Sequence, residues 1–355
     1  MRLPAHATAR INFFQYDQAF EHARDLVEPD TAIMCVVKAN AYGLGVEPVA
    51  RRALQNGAEF LAVAYLSEAI ELRNLSIIAK ILVFTEPEPS EYAEFIAHQL
   101  TATIYTPETA QGLAAACLQA GKSLDVHINV DTGMSRLGCL PETVPTLMSI
   151  LSGSPCIRLS GLFSHFACSD DVNSPKNQQQ LTRFNEVVKS ASAQHRFDWI
   201  HMANSAGILN YPDAKFNMVR MGILTYINCV QLESSIGAIR HLKAGETVSY
   251  NATYACQTDT RIATIPIGYA DGIPISASNK IEVEINGKRY PQVGRVTMDS
   301  LMVDIGSTDA ISIGNTVVFF GPNSTISLAD FATQCGTIPY EILCRMGSRV
   351  TRVYE

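Results

Sequence analysis

The chain has no apolar run approaching the roughly 18 uninterrupted residues that a membrane-spanning helix requires. It also lacks a basic excess. Its net charge is -7, which disfavours a general nucleic-acid binder, since that class needs a basic face. Small charged or zwitterionic ligands stay open, because local charge matters more than the sum. No basic segment followed by an apolar one lies between Met1 and Arg10, so no secretory signal is visible there. The nine cysteines are Cys35, Cys117, Cys139, Cys156, Cys168, Cys229, Cys256, Cys335 and Cys344. They form no C-x-x-C pair and no metal-ligand spacing, so no metal is expected. An odd number of thiols is most simply a reduced set in a cytoplasmic protein. The N-x-S/T triplets at Asn74, Asn251 and Asn323 are then chance matches.

What is present is a globular chain. Its 355 residues are 47% apolar, enough for one large core or two moderate ones. Strand-like runs occur at Ala32–Lys38, Phe60–Ala64, Ile81–Phe84, Thr101–Ile104, Asp125–Val130, Leu159–Ser164, Trp199–Met202 and Asn217–Met221. Segments with helical spacing lie between them, among them Tyr16–Val27, Glu47–Asn56, Glu108–Gly121 and Lys176–His195. Eight strands alternating with helices predict an α/β fold, a (β/α)8 TIM-like barrel at the N-terminal end. An open doubly wound sheet is disfavoured, because no G-x-G-x-x-G follows the first strand. After about Val230 the helical spacing fades. Lys280–Ile285 and Tyr290–Val293 flank an Asn286-Gly287 hairpin signal, and Leu301–Ile305 and Thr316–Phe320 read as strands. The expected division is a barrel over 10–232 and a β-rich C-terminal domain over 233–355, with residues 1–9 a candidate addition to it. The glycine-bearing stretch Ser234 to Ala244 reads as the join.

In such a barrel the chemistry belongs at the carboxyl ends of the strands. Lys38 ends the first strand, where partial desolvation lowers an amine's pKa and fits it for Schiff-base formation. Asn129 and Asp131 end the fifth, with Arg136 in the loop that follows. His165 ends the sixth, Asn204 and Ser205 follow the seventh, and Arg220 ends the eighth, next to Gly222. Each has a plain alternative: a snorkelling lysine, a helix cap at Asn204-Ser205, a hydrogen-bonded core histidine, an interface ion pair. Together they fit a phosphate-bearing cofactor on a lysine. Ser205 and the amides of Gly222-Ile223 suit the phosphate, His165 a flat ring, and Arg220 a ring nitrogen. The tail adds Tyr250, Tyr269 and Tyr340 in turn-like settings, where a tyrosine beside cations can act as an acid or base.

Nine segments, in order, resemble the alanine racemases. They are VVKANAYG at Val36, VDTGMSRLG at Val130, SHFACSD at Ser164, HMANSAG at His201, VRMGI at Val219, VSYNATY at Val248, IGYADG at Ile267, VGRVTMD at Val293 and PYEILCR at Pro339. The resemblance covers nearly the full length. It implies a pyridoxal 5'-phosphate enzyme that interconverts L- and D-alanine and supplies D-alanine for peptidoglycan. It implies that Lys38 carries the cofactor and is one catalytic base, and that Tyr250 is the other, reaching in from the partner subunit of a homodimer. Tyr42, Ser205, Gly222, Ile223 and Tyr340 would hold the cofactor's phosphate, and Asn204 would also bind the cofactor. Arg220 would face the pyridine nitrogen, which it would keep unprotonated, limiting side reactions such as transamination. His165 would bear on Tyr250 or the ring. Arg136 and Met298 would lie near the substrate carboxylate, and Tyr269 would narrow the entrance.

Three departures stand out. Leu44 replaces a common histidine in AYGLG, and the segment Ile223-Leu224-Thr225-Tyr226 is atypical. Asn129 stands where the family often has a carbamylated lysine. An asparagine cannot be carbamylated, so Arg136 would be braced by an anion such as chloride or by the asparagine carbonyl. A serine or broad-specificity amino-acid racemase is the nearest alternative. A barrel-only binding protein would lack the β-rich tail. A decarboxylase on the same plan would need a partner cysteine and a glycine-rich phosphate loop that are not seen.

Overall fold

The computed structural model describes residues 6–308 and 310–355. It divides into two units. One comprises Ala19–Ala41 and Val46–Leu224; the other takes the N-terminal segment as far as Gln18, Tyr42–Gly45 and Thr225–Glu355.

The strands, in chain order, begin with β1 (Ala7–Ile11), which belongs to the second unit. The next eight are β2 (Ala32–Val36), β3 (Phe60–Val63), β4 (Lys80–Val83), β5 (Thr101–Ile104), β6 (Leu124–Asn129), β7 (Ile157–Phe163), β8 (Trp199–His201) and β9 (Met218–Met221). They form a closed parallel barrel, sealed where β2 pairs with β9 through Ala32 opposite Met218. This is the predicted TIM-like barrel, with every strand end within two residues of its sequence reading. β2 and β3 are buried at every position, because a barrel strand faces the interior on one side and helices on the other. The helix Val46–Gln55 buries Val46, Val49, Ala50 and Ala53, a single stripe at helical spacing. Thr106 caps the helix Pro107–Ala120 by accepting from the Thr109 amide.

The second unit is β-rich, as predicted. Its strands are β10 (Val230–Ser235), β11 (Ala238–Leu242), β12 (Thr247–Val248), β13 (Tyr254–Ala255), β14 (Thr260–Ile265), β15 (Glu282–Ile285), β16 (Lys288–Val293), β17 (Leu301–Asp304), β18 (Thr316–Phe320) and β19 (Thr351–Tyr354). A nine-stranded sheet runs β11-β14-β17-β16-β15-β18-β10-β1-β19, and β12 pairs with β13 alone. Asn286-Gly287, at φ 52 and 77, makes the expected two-residue turn between β15 and β16. The stretch Ser234 to Ala244, expected to be a join, instead carries the end of β10 and all of β11. β11 is the outermost strand and is half-buried or exposed along its length, so it shows no alternation to read.

Candidate active site

The carboxyl ends of the barrel strands gather the expected polar groups. Lys38 lies two residues beyond β2 and starts a turn in which Ala39, Asn40 and Ala41 are all left-handed, at φ 52, 54 and 51. Tyr42 follows at φ 55. Left-handed geometry costs an L-residue about 1–2 kcal/mol, so the turn has to be held from outside. The Glu68 carboxylate accepts from the Ala39 amide at 2.6 Å, and the Asn40 carbonyl oxygen accepts from the Val46 amide at 2.7 Å. The other Glu68 oxygen accepts from Ala64 and Tyr65. One carboxylate therefore ties the peptide after Lys38 to the loop after β3.

Arg220, third residue of β9, is 2% exposed. Its Nη2 donates to the Ser164 carbonyl at 2.9 Å, the Met202 carbonyl at 3.0 Å and His165 Nδ1 at 2.8 Å. Its Nη1 donates to His201 Nδ1 at 2.6 Å. Its Nε makes no hydrogen bond and no carboxylate pairs with it among the described residues. Burial and the Arg136 charge push its pKa down to about 9, still cationic at neutral pH. Because a guanidinium can only donate, His165 and His201 must both accept through Nδ1. Burial and the Arg220 charge hold both imidazoles well below their ordinary pKa, and Arg136 and Lys38 add to this at His165. The interface ion pair weighed for Arg220 is thus replaced by a buried cation held by neutral acceptors.

Ser205 Oγ accepts from the amides of Gly222 at 3.0 Å and Leu224 at 3.3 Å. One hydroxyl and neighbouring amides from two segments are thereby collected at one place. Asn204 is the N-cap of the helix Ser205–Asn210. Its Oδ1 accepts from Gly207 and from Ser169 Oγ, which leaves only its amide nitrogen for a ligand. Asp131 is spent on the loop itself, accepting from the amides of Gly133, Met134 and Ser135. That turn presents Arg136 as an exposed residue, while Asn129 is buried. A cleft of about 540 Å³ lies behind this loop, lined by Leu140, Met148, Arg183 and Val187. Of the strand-end groups it includes only Asp131, so the strand ends rather than the cleft locate the chemistry.

In the second unit Tyr42 is buried among aromatic rings, 5.0 Å from Tyr226 and 5.9 Å from Tyr340 between centroids. Burial raises its hydroxyl pKa. Leu44 is fully buried, and its carbonyl accepts from Tyr354 Oη at 2.8 Å. Tyr250 is 70% exposed and sits between Ser249 at φ 66 and Asn251 at φ 62. Non-glycine residues in such conformations mark sites where position matters more than local stability. Tyr269 and Met298 are also exposed, and their loops are joined by bonds from Tyr269 to Thr297 and from Ala270 to Met298. Beneath them the buried Asp271 carboxylate accepts from Arg349 and the Gly268 amide and meets His6.

Sequence reasoning missed Glu68, His127, His201 and Gln180. Gln180 donates to the His165 carbonyl at 2.9 Å and accepts from the Ala167 amide. Only position along a strand marked His127 and His201, and nothing marked Gln180 or Glu68.

The family model described as "Alanine racemase, N-terminal domain" matches residues 11–228, and "Alanine racemase, C-terminal domain" matches 229–354. The chain is 35% identical to the alanine racemase of Desulfovibrio desulfuricans, over 98% of this chain and 97% of that protein. Among solved structures, an alanine racemase from Clostridium difficile 630 superposes with TM-score 0.94 at 32% identity, covering 100% of this chain and 97% of that one. That of Bacillus anthracis, solved with bound L-Ala-P, gives TM-score 0.91 at 31% identity, covering 100% and 96%.

Proposed function

The chain belongs to the alanine racemase family, and from that premise we propose how its residues divide the work of the reaction. It is an isomerase that interconverts L-alanine and D-alanine. The observation that carries the reading is the buried Arg220, held by neutral acceptors with its Nε unspent, on the same barrel rim as Lys38 and Ser205. That donor set fits pyridoxal 5'-phosphate. A ring nitrogen would meet a cation that stays protonated at neutral pH, and a phosphate would meet the Ser205 hydroxyl and the Gly222 and Ile223 amides. Tyr42 and Tyr340 would add hydroxyls, and Asn204 its amide nitrogen. When bound, the cofactor supplies the electron sink that acidifies the substrate's α-proton.

The remaining work belongs to side chains. Racemisation needs one base on each face of the α-carbon, one to remove the proton and one to return it. Lys38 Nζ takes one face, and Tyr250 Oη of the partner subunit takes the other. The exposure and backbone strain at Tyr250 support a residue whose task is not completed within its own chain. His165, neutral and tied to Arg220 through Nδ1, keeps its Nε2–H for Tyr250 or the ring. Arg136 and Met298 bind near the substrate carboxylate, and Tyr269 narrows the entrance. Beside Asn129 an anion such as chloride braces Arg136. Replacing chloride with gluconate should raise KM for alanine with kcat nearly unchanged; an unchanged KM removes the anion. A cytoplasmic homodimer supplying D-alanine for peptidoglycan is the setting we propose.

Mixed dimers test the shared site. Lys38→Ala and Tyr250→Phe should each be inactive alone. Mixed and re-equilibrated, they should recover up to about a quarter of the wild-type rate, since half the dimers then hold one complete site of two. No recovery would place Tyr250 outside its partner's site.

A further inference from the structure

Behind Arg220 the barrel interior holds a second buried imidazole that the reaction scheme does not use. His127, on β6, is fully buried, and its Nδ1 lies 3.1 Å from His201 Nε2. The direction of this contact follows from Arg220. His201 Nδ1 must accept from the guanidinium, so a neutral His201 carries its proton on Nε2 and donates it to His127 Nδ1. His127 in turn carries its proton on Nε2, which finds no partner among the described residues. We infer that His127 is a positioning residue for Arg220: it accepts the outward N–H of His201 and so anchors the imidazole on which the guanidinium rests.

Three observations say that this ring is built for rather than merely tolerated. A Cβ at Gly161 on β7 would lie 2.3 Å from His127 Cδ2 and 2.6 Å from its Nδ1. A glycine inside a strand is costly, and here it clears the seat of the imidazole. The β6–β7 register shifts between Val126 and His127, at the same place. The unpartnered Nε2–H carries the desolvation cost of a buried donor with no acceptor, which an apolar side chain of similar size would avoid. What the histidine adds over such a side chain is its Nδ1 acceptor. The plane it anchors is also fixed from the side: the Phe163 ring stacks on His201 at 4.7 Å and 6°, and the Arg220 guanidinium lies 5.6 Å from that same ring. His201 is thus held by stacking on its face, by Arg220 at one nitrogen and by His127 at the other. Burial keeps His127 neutral, with its pKa pushed down to about 3, so the acceptor persists through the working pH range. Losing it would leave the His201 N–H buried and unpaired, and the ring would tilt to relieve it, taking Arg220 off its line.

The catalytic consequence rests on the proposed place of Arg220 at the cofactor's ring nitrogen; the relay itself does not. The test uses the holoenzyme labelled with ¹⁵N-histidine and compares His127→Leu, which removes the acceptor, with His127→Gln, which offers an oxygen in its place. Two quantities are read. One is the His201 Nε2–H resonance, hydrogen-bonded and slow to exchange in the parent. The other is the ratio of pyruvate formed by transamination to alanine racemised. In His127→Leu the resonance should be lost or shifted and the ratio should rise about tenfold, the lower end of what removing an orienting partner usually costs. His127→Gln should restore both. Should His127→Leu not fold, Gly161→Ala dislodges the same ring and should give the same two changes. Arg220→Lys is the reference. If it raises the ratio and His127→Leu does not, the positioning role is overturned. If neither raises it, the reading of Arg220 at the ring nitrogen falls. A parent His201 protonated on Nδ1 would overturn the relay outright.

Discussion

The imidazoles of His127, His165 and His201 are held neutral by burial and by the positive charge of Arg220, each below its ordinary pKa. This has a consequence for stability. An unfolded histidine takes up its proton near pH 6.5, whereas the folded one at His127 resists until about 3. Between those values the unfolded state binds more protons, so the contribution is full above about pH 6.5 and is lost as pH falls toward the folded pKa. Urea unfolding should show stability dropping by up to about 1.4 kcal/mol per pH unit for each such histidine between pH 6.5 and 4.5. Glu86, raised by burial, acts in the opposite sense as pH falls, whereas carboxylates held low act below this window. Asp271, for example, is held low by its bonds to His6, Gly268 and Arg349 despite its burial, so its loss is confined below about pH 4. A flat profile from pH 7 to 5 would mean that these rings are not held neutral. Lys38, His165 and Arg220 were legible from their strand ends, whereas His127 and His201 were not. A histidine that only accepts from an arginine has the same one-letter code as one packed in a core.

Elements differ in how openly they show themselves. β2 to β9 are legible because each is a short apolar run between helical stretches. β1 is barely so, although Ala7, Ala9 and Ile11 do alternate inward, because its partners β10 and β19 lie more than two hundred residues away. β11 is hidden by its place at the sheet edge. The left-handed turn after Lys38 is hidden more deeply. Of Ala39, Asn40, Ala41 and Tyr42 only asparagine commonly takes that conformation. What stabilises it includes a carboxylate from the β3 side of the barrel, at Glu68. Local sequence there marks only the end of a strand, and tertiary hydrogen bonds set the turn. Strain of this kind next to the proposed cofactor lysine is where local rules are expected to fail.

At the scale of the molecule, the sequence foretold a barrel followed by a β-rich region, and the structure divides into those two kinds of unit. It assigns the N-terminal segment and Tyr42–Gly45 to the β-rich one. That assignment was not legible beyond a candidate role for the first residues, because it depends on long-range strand pairing such as β1 with β10. Tyr250, Tyr269 and Met298 are exposed on the second unit, as the proposed sharing of the site with a partner subunit requires. The central claim is that this protein racemises alanine using Lys38. Its most direct test is to supply the purified protein with pyridoxal phosphate, add L-alanine and follow circular dichroism. The signal should decay to zero and should stay constant in Lys38→Ala. A steady signal in the parent protein, or an equal decay in Lys38→Ala, would contradict the account.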